Sequence, residues 1–243
     1  MVRWLSPLLF VVPVASAQSL RVDFGLWDYE VGGTVRDGGS PLDLQDDLMV
    51  RTRSRQAFAA STDAGPDWLP ALAFSYNPLD VRGEQTVNST VGIGPIILDE
   101  QERTALIDAD LTDLALTADA GLLGPEALQL RGGLTLRRLE GPITVRDADS
   151  DDSRTEDLDE WFPQLHLAFR WQPSPRWRFG GAADWIEADS DRATQLRLQA
   201  DWRVWGALGL SGGWQRKSFK VRSGDFELDT DLDGYFGGLT LTF

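Results

Sequence analysis

Cysteine is absent from the 243 residues. No disulfide can brace the fold, and a thiolate metal site or a cysteine nucleophile is excluded. Histidine occurs once, so imidazole chemistry rests on His166 alone. Basic residues are in deficit: 23 Lys and Arg stand against 38 Asp and Glu, for a net charge of -15. Phosphate backbones bind basic surfaces, so nucleic acid is not an expected partner. Long apolar runs are also missing. The one run of note, Trp4 to Val14, is broken by Pro7 and Pro13 and is too short to cross a bilayer as a helix.

That run reads as an address. Arg3 supplies the positive start, and Ala15-Ser16-Ala17 is a small-x-small cleavage site. The pattern predicts a Sec signal peptide over residues 1–17, cut between Ala17 and Gln18, and one mature domain over 18–243. Without cysteine there is no lipid anchor. The exported chain is then soluble in the periplasm, secreted, or a membrane barrel.

Glycine, at 24 residues, fits strands and turns better than helices. Alternation predicts about ten strands, with eight or twelve as the neighbouring even counts. Leu196, Leu198, Ala200, Trp202 and Val204 alternate with Gln195, Arg197, Gln199, Asp201 and Arg203. Leu128, Leu130, Leu134 and Leu136 alternate with Gln129, Arg131, Thr135 and Arg137. Leu165, Leu167, Phe169 and Trp171 alternate with Gln164, His166, Ala168 and Arg170. The stretch from Ala105 to Ala118 changes phase: Ile107, Ala109 and Leu111 share one parity, Leu114 and Leu116 the other. A β-bulge near Thr112 is the expected cause. Connections read as polar and mostly long after odd-numbered strands and mostly short after even-numbered ones. Expected loops include 32–49, 80–102, 147–160 and 223–230. The asymmetry fits an up-and-down barrel with short periplasmic turns and longer outer loops.

A soluble β-sandwich also alternates. Three features favour lipid. Trp161 and Trp171 share a parity ten residues apart, and Trp177 and Trp185 do so eight apart. At about 3.3 Å per residue and a tilt near 40°, such pairs span roughly 20 to 25 Å of height, close to the band between aromatic girdles. Trp202 and Trp214 are assigned to the same girdles. In the fifth, sixth, eighth and tenth expected strands the oily parity carries no charge through its middle, where Arg or Lys would cost about 2 to 4 kcal/mol. The other parity mixes signs. Arg53, Arg131, Arg137, His166, Arg170, Arg178, Asp184, Arg197, Asp201 and Arg203 are the expected lumen charges.

The last strand ends on the final residue. Tyr235, Gly237, Leu239, Leu241 and Phe243 share a parity against Gly238, Thr240 and Thr242. It resembles the C-terminal strand of Gram-negative outer-membrane barrels, which commonly end in Phe and are read by the assembly machinery. On that resemblance Tyr235, Gly238, Leu239, Leu241 and Phe243 form the assembly signal. The segments Leu42-Asp43-Leu44-Gln45-Asp46-Asp47-Leu48, Glu160-Trp161-Phe162-Pro163-Gln164-Leu165 and Leu232 to Phe243 are similar to a small, mostly uncharacterised family of proteobacterial outer-membrane β-barrel proteins. The resemblance implies an all-β transmembrane antiparallel barrel in the outer membrane. Its expected partners are lipid, lipopolysaccharide, the assembly machinery and periplasmic chaperones. It carries over no catalytic residue and no cofactor.

The expected function is therefore non-enzymatic: a structural or binding barrel, or a very narrow passive channel. Two alternatives stay open. One is a hydrolase resembling omptin proteases, which would need an Asp-His pair and an Asp pair at the outer rim; the other is a soluble periplasmic β-domain. The acidic run Asp147, Asp149, Asp151, Asp152, Glu156, Asp157, Asp159 and Glu160 offers oxygen ligands to Ca²⁺ or Mg²⁺, but its spacing does not fit an EF-hand. A solvated outer loop is the simpler reading.

Overall fold

Ten long strands follow one another around a closed antiparallel ring in a computed structural model of the chain. It describes residues 19–37, 42–45, 53–62, 70–87, 91–93, 96–98, 103–125, 127–147, 153–188, 191–223 and 226–243. The signal-peptide positions Ala15, Ala17 and Gln18 lie outside these. In chain order the strands are β1 (Leu20–Asp37), β2 (Leu42–Asp43), β3 (Arg53–Thr62), β4 (Ala71–Val87), β5 (Val91–Ile93), β6 (Ile96–Leu98), β7 (Arg103–Leu123), β8 (Leu128–Asp147), β9 (Ser153–Ser174), β10 (Trp177–Ala188), β11 (Asp191–Trp205), β12 (Leu208–Ser223) and β13 (Phe226–Thr242). The short β2, β5 and β6 sit outside the ring, which β1 and β13 close from Arg21↔Thr242 to Asp37↔Phe226. Leu20 N–H donates to the Phe243 carbonyl at 3.0 Å, and Phe243 N–H donates to the Leu20 carbonyl at 2.8 Å. No helix among the described residues is long and apolar enough to cross a membrane, which says nothing of strands.

The barrel has two storeys of opposite character, and β8 shows both. Leu128, Leu130, Leu134 and Leu136 face outward and Arg131, Thr135 and Arg137 inward. Past Arg137 the parity holds but the chemistry swaps: Leu139 and Ile143 are buried inside while Arg138, Glu140 and Arg146 face out. The same swap occurs in β9, where Trp161 is 54% exposed and Phe162 4%. It recurs in β12, where Leu208, Leu210 and Trp214 lie outward below and Phe219 and Val221 inward above. Side chains of a strand alternate faces without a break, so the faces stay put and their chemistry changes.

The upper storey encloses an apolar core of Trp27, Tyr29, Val31, Leu79, Leu139, Phe162, Phe219 and Leu232 among others. The lower storey, at the end with the termini, has the reverse arrangement. The expectation that every oily side chain faces outward holds only there. The Thr112 bulge is corrected by the same finding. β7 pairs with β4 in one register from Asp119 to Arg103. Its register on β8 is the same at Ala109↔Ile143 and Thr112↔Glu140, and the irregularity falls at Gly121/Leu123. The phase change marks the boundary between storeys.

The expected outer loops are corrected likewise. β1 runs on to Asp37, β4 to Val87, β9 begins at Ser153 and β13 at Phe226. These segments read as loops because their outward faces are charged. Cross-strand pairs hold those faces, as in Arg138–Asp159 at 2.7 Å and Lys220–Glu227 at 2.9 Å.

One seam is short. β3 and β4 pair only from Phe58↔Tyr76 to Ser61↔Ala73. Above it Tyr29 Oη accepts from Asp80 N–H at 3.1 Å and meets the Asp80 carbonyl at 3.4 Å. Asp80 therefore turns its backbone groups away from β7 and toward β3. Pro78, two residues earlier, has the same orientation and no N–H to give. The ladder stops where its next donor is missing.

Candidate functional site in the barrel lumen

The lower storey places a stack of charges inside the ring. At the rim, Arg21 is shared between Asp23 and Asp201, with 2.7 Å contacts to each. Thr240 donates to Asp23 at 2.6 Å, and Gln199 donates to Asp201 at 2.7 Å. Arg203 lies on the same inward parity and is exposed at the end of β11.

One level up, Arg131 pairs with Asp119 at 2.8 Å across β7 and β8. His166 Nδ1 lies 2.6 Å from Asp184 Oδ1, and its Nε2 is 3.8 Å from Asp119. Thr135 donates to Asp184 at 2.7 Å. At the top, Asp113 takes both Arg137, at 2.7 Å, and Lys217. Arg137 also donates to Gln164 at 2.8 Å and Gln195 at 2.7 Å, and Gln164 donates to the Ala193 carbonyl at 2.8 Å. Asp113, Arg137 and Lys217 are wholly buried. Isolated buried charge is costly, so such a cluster persists only when each member is bonded.

Between this cluster and the rim lies a cavity of about 270 Å³. Arg131, His166, Arg170, Arg178, Arg197 and Asp201 all line it. Above it the charged cluster and the apolar core fill the bore.

Arg53 pairs with Tyr29 through its backbone, and its side chain lies outside the described residues. On the outer surface, Trp161, Trp171, Trp177, Trp185 and Trp202 are all exposed. Trp161 and Trp185 lie at the storey boundary, Trp171, Trp177 and Trp202 near the short turns. Trp214 is half-buried at the upper edge, its indole donating to Asp233 at 2.7 Å. Tyr235 and Leu239 on β13 are exposed outward and Leu241 partly so, and Phe243, one residue past the strand, is exposed as well. Gly238 faces inward under close approach: a Cβ there would sit 2.1 Å from the Phe24 carbonyl oxygen.

The acidic run is described only in part. Asp149, Asp151, Asp152 and the Asp147 side chain lie outside the described residues, while Glu156, Asp157, Asp159 and Glu160 belong to β9. Asp159 is engaged by Arg138, and Glu160 lies on the inward parity. Among the described residues no three His, Cys, Asp or Glu side chains are placed to hold a metal ion. Burial, and then Asp191 and Asp159, push the Glu160 carboxyl above its usual value.

Sequence reasoning missed Lys217, Arg21 and Asp119 as lumen groups. The parity shared by Arg21 and Asp23 was a usable signal. Lys217 had a weaker one: it alternates with Arg216 and Ser218, so both faces there look polar.

No family model matches the sequence, and no curated protein does. Solved structures match in shape. The outer-membrane protease OmpT of Escherichia coli superposes with a TM-score of 0.58 at 11% identity, over 93% of this chain and 97% of that one. The outer-membrane protein AlkL, in lipid bilayers, gives 0.41 at 15% identity, over 94% and 91%. Ail, the attachment invasion locus protein of Yersinia pestis, in complex with a heparin analogue, gives 0.38 at 13%, over 91% and 97%. The chain has the fold of an outer-membrane β-barrel.

Proposed function

We propose that this protein is an integral outer-membrane barrel with a closed bore and a structural or binding role. Its exposed belt of Phe24, Leu134, Leu165, Leu196 and Leu239 would face acyl chains, with the tryptophans at its edges. The periplasmic face carries the termini and short turns. The charged upper storey stands among lipopolysaccharide headgroups, and the terminal strand presents its alternating face to the assembly machinery. The observation that carries the closed bore is the layer of Arg137, Lys217, Trp27, Phe219 and Leu139 across it, each at most 1% exposed. Protein refolded into planar bilayers is expected to give no single-channel steps. Steps that persist when the Arg137 layer is left intact would overturn the closed bore.

A hydrolase reading draws on the His166–Asp184 pair. An omptin-like site needs its Asp-His pair at the outer rim, whereas this pair lines the cavity beneath the plug, in the storey away from that rim. The non-enzymatic reading is preferred for that reason.

A further inference from the structure

The lumen cavity holds one guanidinium whose pairing the protein does not complete. Arg197 Nε donates to Gln199 at 3.1 Å, and its guanidinium carbon lies 4.1 Å from the Phe236 ring centroid. Among the described residues no carboxylate accepts from its terminal nitrogens. Its neighbours Asp23 and Asp201 are both taken by Arg21. An enclosed guanidinium favours a fork-on-fork anion partner. The cavity offers room for one: about 270 Å³ is roughly nine water volumes at ~30 Å³ each. Its lining is not uniformly polar. Ala59, Ala73, Ala115, Ala168 and Ala182 also face it.

We propose that this cavity is a binding site for a small carboxylate with a short aliphatic stem. The head is held by Arg197, the stem lies against the alanines, and entry is from the periplasmic end. Both carboxylate oxygens would accept from the terminal nitrogens, which completes the charge pairing inside the ring. The site extends the closed-barrel reading and is tested apart from it. Conductance reads the plug, whereas binding in micelles reads the cavity.

The experiment is calorimetric titration of refolded protein in low-chloride detergent micelles. Butyrate is compared with butyramide, which has its shape without charge, and with phosphate, which has charge without a stem. Saturable butyrate binding at least tenfold tighter than either is expected. Arg197→Gln and the cavity-filling Ala168→Leu should each weaken it at least tenfold, while Arg222→Gln on the outer storey should not. Should both lumen variants fail to refold, the wild type decides alone. Butyrate should then slow phenylglyoxal modification of Arg197 at least fivefold, read by mass spectrometry. Absence of saturable heat, equal binding of butyramide or phosphate, or unprotected Arg197 would overturn the site.

Discussion

Asp113 is the residue on which the lumen's charges converge. It is fully buried, and both Arg137 and Lys217 bond to it. Asp113→Ala strips Lys217 of its bonded counter-charge and leaves Arg137 only Asp184, at 3.8 Å, so a loss of about 3 to 5 kcal/mol is expected. Urea unfolding in detergent, followed by heat-modifiable gel mobility, measures it. A loss near zero would show that the cluster is not coupled. Glu160 gives the opposite kind of test. Its carboxyl, beside Trp161 at the storey boundary, is held above the ordinary glutamate range by burial and by Asp191 and Asp159. A raised folded-state value means its favourable contribution is complete below the ordinary value and is lost as pH climbs through the raised one. Glu160→Gln is therefore expected to stabilise the protein at pH 7 and to make no difference below about pH 4. Paired melting curves at the two values check the sign.

At the scale of elements, the weak place is the seam between β3 and β4. Four paired positions hold it, against a continuous run from Ala71 to Val87 on the other side of β4. Tyr29 substitutes for the missing ladder by reaching Asp80. Removing the hydroxyl in Tyr29→Phe is expected to cost about 1 to 3 kcal/mol locally, since Asp80 N–H is left without its partner. Hydrogen exchange should quicken at Asp80 and along Arg53–Ala57 while β8 and β9 stay protected. Uniform acceleration around the ring would show that the seam is not a separate unit. Strand existence and order were readable here, because the period of two survives wherever one face is oily. Strand ends were not. Above the boundary the outward face of β13 is Glu227, Asp229, Asp231 and Asp233, and so many charges resemble a loop. Its inward partners Leu228, Thr230 and Leu232 carried the strand signal.

For the whole molecule, the environment on each side of the wall changes with height. In the proposed membrane placement, hydrocarbon lies outside and polar groups inside below the boundary, and water lies outside and a protein core inside above it. Leu134→Arg, in the middle of the lower belt, should cost about 2 to 4 kcal/mol in bilayers. Glu140→Arg, outward on the same strand but above the boundary, loses a partly exposed ion pair with Arg138 at 2.7 Å and should cost no more than about 1 kcal/mol. Equal costs for the two would mean that the belt does not meet lipid.

Read alone, the chain was enough for the class of fold, for about ten wall strands and for the parity of nearly every side chain in them, because alternation is a local property of extended chain. It also carried the oily lower belt, since leucines at every second position need no partner to be recognised. It took the closed ring to show that the faces exchange chemistry partway up, and that Ile107 and Leu114 point to opposite sides of an unbroken strand. Whether an apolar side chain is wanted inside or outside depends on what lies across the ring and beyond the wall. Neither is written in the neighbouring residues. The same holds for Arg197: that no carboxylate among the described residues accepts from its terminal nitrogens appears only when strands distant in sequence are brought around one cavity.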